Sequence, residues 1–132
     1  GVGTGGTLIG VARLLRRKNP AVRIIGVEPA ESAVLSGGSP SEHAIQGIGE
    51  GFIPGLIKRN RHLIDEVITV SSSDAEEMSK HLAKKHGLLV GISSGANMIA
   101  AQRVQRRFDS ILTFFPDRGE RYPVSPIGFN YS

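Results

Sequence analysis

Residues 1–7, with the sequence GVGTGGT, contain four glycines and two threonines. Glycine permits positive φ angles, lets the backbone approach a ligand closely and leaves N–H groups exposed, while the threonine hydroxyls add further donors. A helix is predicted directly behind this segment, and a helix N-terminus attracts anions through its free N–H groups and its dipole. We therefore expect residues 1–7 to hold a phosphate group of a bound cofactor at the start of a helix.

The same glycines also permit a dinucleotide-binding interpretation. Residues 1–6 satisfy the pattern G-x-G-x-x-G. Glu28 ends a predicted strand about twenty residues further on, where dinucleotide-binding domains place the acid that binds a ribose hydroxyl. This interpretation leaves the long segment 30–60 without a role.

A second glycine motif suggests a serine hydrolase. Residues 91–95, GISSG, fit the pattern G-x-S-x-G between a predicted strand and a predicted helix, with Ser93 as nucleophile. That fold needs a histidine after the serine, whereas all four histidines precede it, which disfavours this interpretation. Those residues are His43, His62, His81 and His86.

The histidines also lack the spacing of metal ligands, so we expect no metal site. His81 and His86 lie five residues apart on one predicted helix, which places them off a common face. Both are expected to be solvated.

The composition is that of one soluble globular domain: 132 residues, 39% hydrophobic and 21% charged. The absence of cysteine excludes a disulfide scaffold and a thiolate nucleophile, and fits a reducing compartment such as the cytoplasm. No apolar run approaches the roughly 20 residues that a membrane span needs. We expect a cytoplasmic protein without a membrane partner.

The net charge of +4 does not indicate nucleic-acid binding. Its densest basic cluster falls in the last turns of a predicted helix, where cations complement the helix dipole. The chain has two tyrosines, five phenylalanines and no tryptophan, and none of these aromatic residues alternates with the basic ones as a stacking platform requires.

Apolar periodicity and stop signals predict alternating helices and strands. The predicted helices are 6–18, ended by Asn19-Pro20; 74–86, opened by a capping box at 73–76 and ended by Gly87; and one of about a dozen residues that follows 91–95 and ends near Arg107. The predicted strands are 23–28, 66–70, 88–90 and 110–115. This order predicts an α/β domain with a largely parallel sheet.

Five motifs, taken in order, resemble one enzyme family. They are residues 1–7, 27–30, 45–49, 87–96 and 119–122. Together they resemble the C-terminal part of cysteine synthase, the O-acetylserine sulfhydrylase family of fold-type II pyridoxal-phosphate enzymes, which includes cystathionine β-synthase. The resemblance implies a three-layer α/β/α portion of the cofactor-binding domain over residues 1–122, followed by a divergent tail at 123–132.

The resemblance also implies site roles. Ser93 matches the serine that hydrogen-bonds the pyridine nitrogen of pyridoxal phosphate, with helix capping as the plainer alternative. The loop that matches the family's phosphate site consists of Gly3, Thr4, Gly5, Gly6 and Thr7. The flexible segment that matches the substrate-covering part of the active site consists of Gln46, Gly47, Ile48 and Gly49.

In this view Glu28 only ends a core strand, and its carboxylate is expected to be solvated. Asn97 departs from the family pattern, since small apolar residues are common at that position.

The activity implied by the resemblance is a β-replacement that converts O-acetylserine and sulfide to cysteine and acetate. A cystathionine β-synthase-type activity is the alternative, and the family suggests a homodimer. The Schiff-base lysine of the family lies before the glycine loop, and none of the later lysines matches its motif. The chain is therefore expected to be a fragment that contains no catalytic residue and is inactive alone.

Overall fold

The computed structural model describes residues 1–119, so motif residues 120–122 and the tail 123–132 lie outside the described part. Its helices are α1 (Gly6–Lys18), α2 (Gly55–Arg59), α3 (Ser72–His86) and α4 (Ile92–Val104). Its strands are β1 (Ile25–Pro29) and β2 (Glu66–Val70). Short 3-10 turns cover Ala30–Ser32, Val34–Ser36, Arg61–Leu63 and Gln105–Arg107. Within residues 1–119 no helix is both long and apolar enough to cross a membrane.

The two strands pair in parallel, with Ile25 opposite Glu66 and Pro29 opposite Val70. This confirms the parallel sheet predicted from the alternation of helices and strands. Parallel neighbours require a crossover connection, and residues 30–65 supply it.

Helices cover both faces of this sheet. On one face α1 packs with α2 through a buried cluster formed by Val2, Ile9, Ile57 and Ile64, against which the half-buried Val67 of β2 lies. On the other face α3 and α4 bury a second cluster, which consists of Val27, Ile45, Ile48, Val70, Ala75, Ile92, Ala96 and Ala100. The three-layer α/β/α arrangement is therefore present in this part of the chain.

Most helix ends follow local signals, although α4 begins at Ile92, before the predicted start after residue 95. Helix α1 has the predicted bounds, and Gly87 ends α3 in the left-handed conformation with φ of 67°. However, α3 begins at Ser72 rather than 74, because the Ser71 hydroxyl accepts the N–H of Asp74 at 3.1 Å. The predicted capping box at 73–76 was wrong: three consecutive serines offer more than one possible cap, and the tertiary position of the chain decides between them.

Helices α3 and α4 pack closely at a glycine. A Cβ atom at Gly95 would collide with the carbonyl oxygen of Ala75, so α4 can approach the α3 backbone only with glycine there. The Ser79 hydroxyl of α3 also donates to the carbonyl of Val90 at 2.7 Å, just before α4 begins. These contacts fix the start of α4, which carries Ser93.

Two predicted strands do not form. In segment 88–90 only Val90 makes a bridge, a single antiparallel pair with Arg118. Residues 110–115 are irregular and contain exposed apolar side chains such as Leu112, which is 67% exposed. An apolar run becomes a strand only when a neighbouring strand pairs with it, and none does so within residues 1–119.

Candidate functional site

The glycine loop ends at the N-terminus of α1. Gly5 is the N-cap and has φ of 88°, a left-handed conformation that favours glycine. The side chain of Ile57, itself fully buried, occupies the space that a Cβ atom at Gly5 would need. Backbone conformation and packing therefore both require glycine at this position.

The first turn of α1 is suited to an anion. The first helical bond runs from the N–H of Ile9 to the carbonyl of Gly5 at 3.0 Å, so the N–H groups before Ile9 have no acceptor within the helix. Gly5 provides no side-chain cap, and the first turn contains no acidic residue. Thr4, Gly6 and Thr7 are exposed, which leaves their donors accessible to a phosphate group.

Segment Gln46–Gly49 packs directly on the glycine loop. The N–H of Gly49 donates to the carbonyl of Val2 at 3.0 Å. The carbonyl oxygen of Gly47 lies so close to Gly3 that a Cβ atom there would collide with it. The tertiary structure thus brings together the predicted phosphate loop and the predicted substrate segment.

Two isoleucines anchor this segment while its middle stays exposed. Ile45 and Ile48 are 0% and 7% exposed and belong to the core cluster beneath α4. Gln46 and Gly47 are exposed. The segment can therefore present the Gln46 side chain and the Gly47 backbone to a small molecule without losing its anchors.

Ser93 is the second residue of α4 and is 3% exposed. The N-cap of α4 is Gly91, without a side-chain cap, so the capping interpretation of Ser93 was wrong. Asn97 lies four residues further on the same helix face, about 6 Å along the axis. Its Oδ1 atom would be 3.1 Å from a Cβ atom at Gly1, so this face of α4 reaches the start of the glycine loop.

Glu28 is buried, and its carboxylate is engaged by the chain itself. Its side chain is buried, at 2% exposed. Its carboxylate accepts the N–H groups of Leu35 and Ser36 at 2.7 and 3.0 Å, and the Ser36 hydroxyl as well. Both the dinucleotide role and the expectation of a solvated carboxylate were wrong, because the returning segment 34–36 folds over the strand end and engages both oxygens.

The histidines also differ from expectation. His81 and His86 are exposed as predicted, but their rings lie 5.7 Å apart in a T-shaped arrangement at the end of α3, so their side chains do meet. His43, for which the sequence predicted no role, forms hydrogen bonds with the backbone of both Ile45 and Gly49. Only its position, three residues before Gln46, could have drawn attention to it.

Comparison with known proteins agrees with this arrangement. Residues 1–117 match the family described as pyridoxal-phosphate dependent enzyme. Over 130 residues the chain is 45% identical to the cysteine synthase of Staphylococcus aureus. The matched region covers 96% of this chain and 41% of that protein.

Solved structures agree as well. The cysteine synthase of Entamoeba histolytica matches with a TM-score of 0.89 at 40% identity, over 96% of this chain and 38% of that one. The O-acetylserine dependent cystathionine β-synthase of Helicobacter pylori matches with a TM-score of 0.88 at 44% identity, over 97% of this chain and 42% of that one. The chain thus spans 41% of the length of the Staphylococcus aureus enzyme, about two fifths. Because the family match extends over most of its residues, the chain belongs to the family of pyridoxal-phosphate dependent enzymes.

Proposed function

We propose that the loop Gly3, Thr4, Gly5, Gly6 and Thr7 binds the phosphate group of pyridoxal phosphate. The observation that carries this proposal is the accessible first turn of α1, whose N–H groups have neither a side-chain cap nor an acidic neighbour. Two threonine hydroxyls beside those N–H groups add donors that a phosphate can accept. The cofactor dependence of the family supports this choice of anion.

We further propose that Ser93 hydrogen-bonds the pyridine nitrogen of the cofactor. When bound, pyridoxal phosphate supplies an electron-withdrawing ring that stabilises negative charge on the substrate. A neutral hydroxyl leaves the ring nitrogen largely unprotonated, and a buried serine at the start of α4 keeps water from competing for that contact. This environment suits β-elimination and β-replacement.

Segment Gln46–Gly49 is the proposed cover of the amino-acid substrate. Its exposed middle lies against the phosphate loop, and glycines at 47 and 49 permit a change of conformation on binding. Closure would exclude water from the reacting atoms without moving the buried isoleucine anchors.

The activity that these roles favour is the conversion of O-acetylserine and sulfide to cysteine and acetate. The relative from Staphylococcus aureus bears the name cysteine synthase, and the present chain covers 41% of it. The Schiff-base lysine of the family has no counterpart among the matched motifs, so we assign the reaction to the holoenzyme that contains this lysine. Within it, residues 1–122 would form the C-terminal portion of the cofactor-binding domain and 123–132 a divergent tail.

A cystathionine β-synthase-type activity is the second candidate. It is favoured by the similarity to the Helicobacter pylori enzyme, whose name combines O-acetylserine with cystathionine synthesis. For either activity we propose a cytoplasmic homodimer: the family resemblance suggests the dimer, and the absence of cysteine fits a reducing compartment.

A titration of the chain with inorganic phosphate and with pyridoxal phosphate tests the site. The amide resonances of Gly6 and Thr7 should shift with both ligands, and the ring-bearing ligand should additionally shift Ser93. Thr7→Ala should weaken both ligands, whereas Thr113→Ala, outside the loop, should weaken neither. Binding without any response at residues 3–7 would refute the phosphate assignment.

An assay of the holoenzyme separates the two activities. Cysteine formed from O-acetylserine and sulfide supports the first, whereas cystathionine formed from O-acetylserine and homocysteine at a higher kcat/KM supports the second. Turnover of neither pair would contradict the β-replacement proposal.

A further inference from the structure

The imidazole of His43 joins the two ends of segment 45–49. Its Nε2 atom lies 2.8 Å from the carbonyl oxygen of Gly49, and its Nδ1 atom accepts the N–H of Ile45 at 3.2 Å. A single half-buried ring thus bonds the backbone immediately before Gln46 and the backbone of the last residue of the segment.

These two bonds define the state of the ring. Nδ1 accepts a backbone N–H and must therefore be unprotonated, so that Nε2 carries the hydrogen and donates it to Gly49. Only the neutral Nε2–H tautomer makes both bonds at once. Protonation of Nδ1 would remove the acceptor for Ile45.

We propose that His43 is a positioning residue that holds segment Gln46–Gly49 in the conformation from which it covers the substrate. The assignment of that segment as substrate cover rests on the proposed function. We call this arrangement the backbone clasp: the imidazole bonds the backbone at both ends of the segment, while Gln46 and Gly47 between them stay exposed.

The segment needs such a clasp because its own residues do not hold its shape. Gly47 and Gly49 have φ of 87° and 69°, and glycine loses more conformational freedom than any other residue when it is ordered. The buried side chains of Ile45 and Ile48 hold the segment to the core, and the Val2 carbonyl holds the N–H of Gly49, but none of these contacts engages the Gly49 carbonyl. The bond from Nε2 fixes that carbonyl.

The clasp also reaches the phosphate loop. While His43 holds the carbonyl of Gly49, the N–H of the same residue donates to Val2 at 3.0 Å. The Gly47 carbonyl then lies against Gly3. Displacement of Gly49 would therefore also displace the residues next to the proposed phosphate site.

Neighbouring polar groups keep the His43 backbone in place. Glu31 accepts the N–H of Ser72 at 2.7 Å, and the Ser72 hydroxyl accepts the N–H of Ala44 at 2.9 Å. Burial alone raises the pKa of Glu31, but hydrogen bonds, chiefly from the N–H of Ser72, outweigh it, so that this pKa is lowered.

Two conservative variants separate the two bonds. In His43→Asn the side-chain oxygen can accept the N–H two residues on, as in an Asx-turn, but the side chain is too short for Gly49. In His43→Gln the longer side chain can donate to Gly49 in place of Nε2. His43→Ala removes both bonds, and His62→Ala, which changes an exposed histidine outside the clasp, is the matched control.

Nuclear magnetic resonance of the full 132-residue chain tests the clasp without cofactor or substrate. The ring nitrogens of His43 should show the Nε2–H tautomer. Hydrogen exchange at Ile45 should rise about tenfold in His43→Ala, and His43→Asn should restore most of that protection. His43→Gln should restore the Gly49 chemical shifts but not the Ile45 protection.

Three results would overturn the proposal: an Nδ1–H tautomer in the wild type, exchange in His43→Ala within twofold of His62→Ala, or equal effects of the Asn and Gln variants at both ends. If His43→Ala does not fold, the two conservative variants decide. If phosphate does not shift the amide resonances of Gly6 and Thr7, that result counts against the proposed function and not against the clasp. The tautomer and exchange results test the clasp independently.

Discussion

The side-chain amide of Asn97 donates a 2.9 Å hydrogen bond to the carbonyl oxygen of Phe114, which joins the middle of α4 to the irregular segment 111–116. Asn97 is 5% exposed, and its Oδ1 atom has no hydrogen-bond partner within residues 1–119. Asn97 is therefore a polar link between a helix and the segment that follows it.

Removal of this link should destabilise the fold moderately. Asn97→Ala loses one partly buried hydrogen bond, so the free energy of unfolding in urea should fall by about 1 kcal/mol. Asn97→Asp places an acceptor against the Phe114 carbonyl and should cost about 3 kcal/mol. Gln102→Ala, at an exposed position of the same helix, is the control. Equal stability of Asn97→Ala and Gln102→Ala would show that the bond contributes nothing.

Replacement by alanine should change the stability of the fold in opposite directions at two glycines near the start of α1. Gly5→Ala combines a left-handed φ with a collision against Ile57 and should destabilise by about 2–4 kcal/mol. Gly10 lies inside the helix with nothing within 4 Å of its missing Cβ, so Gly10→Ala should stabilise by about 0.5–1 kcal/mol. Thermal unfolding measures both, and the same sign for both would contradict the assigned packing.

Ser93 and Ser94 form a matched pair for the site. Ser93→Ala should lower kcat/KM of the holoenzyme about tenfold, the equivalent of one lost hydrogen bond. Ser94 is fully buried and its hydroxyl has no partner within residues 1–119, so Ser94→Ala should leave kcat/KM unchanged and not reduce stability. A larger kinetic effect from Ser94 than from Ser93 would reverse the assignment.

Glu28 should matter for folding and not for ligand specificity. Glu28→Gln turns an amide donor toward the N–H groups of Leu35 and Ser36, so the free energy of unfolding should drop by about 1–3 kcal/mol. Glu77→Gln, an exposed acid on α3, should change it by less than about 0.5 kcal/mol. Binding of NADH that depends on Glu28 would revive the dinucleotide interpretation.

Asp65 should make the protein less stable in acid. Burial alone raises its pKa, but the N–H of Ile24 and the guanidinium of Arg16, both 2.7 Å away, outweigh burial and hold the pKa below its ordinary value of 3.8. A carboxyl with a lowered folded-state pKa stabilises the protein above its unfolded-state pKa, and this contribution disappears as the pH falls through the folded-state value.

The measurement is the free energy of unfolding as a function of pH. The wild type should lose up to about 1 kcal/mol through this group as the pH falls below 3.8, since the ion pair is partly screened. Asp65→Asn should show a shallower acid dependence. Parallel curves for the two proteins would contradict the predicted linkage.

The local sequence determined the elements whose signals lie within a few residues. Apolar periodicity with an Asn-Pro stop defined α1, and the glycine at 87 defined the end of α3. These predictions succeed because helix periodicity, caps and glycine conformations depend on neighbours in the chain.

Only the tertiary structure decided what depends on distant partners. The apolar runs at 88–90 and 110–115 satisfied the strand pattern yet lacked a paired neighbour, and Ser71 rather than Ser73 capped α3. The carboxylate of Glu28 met segment 34–36, and the ring of His43 met both ends of segment 45–49, through turns that no periodicity predicts. Strand pairing and side-chain hydrogen bonds depend on which segments meet in space, and that is determined by the packing of the two cores on either side of the sheet.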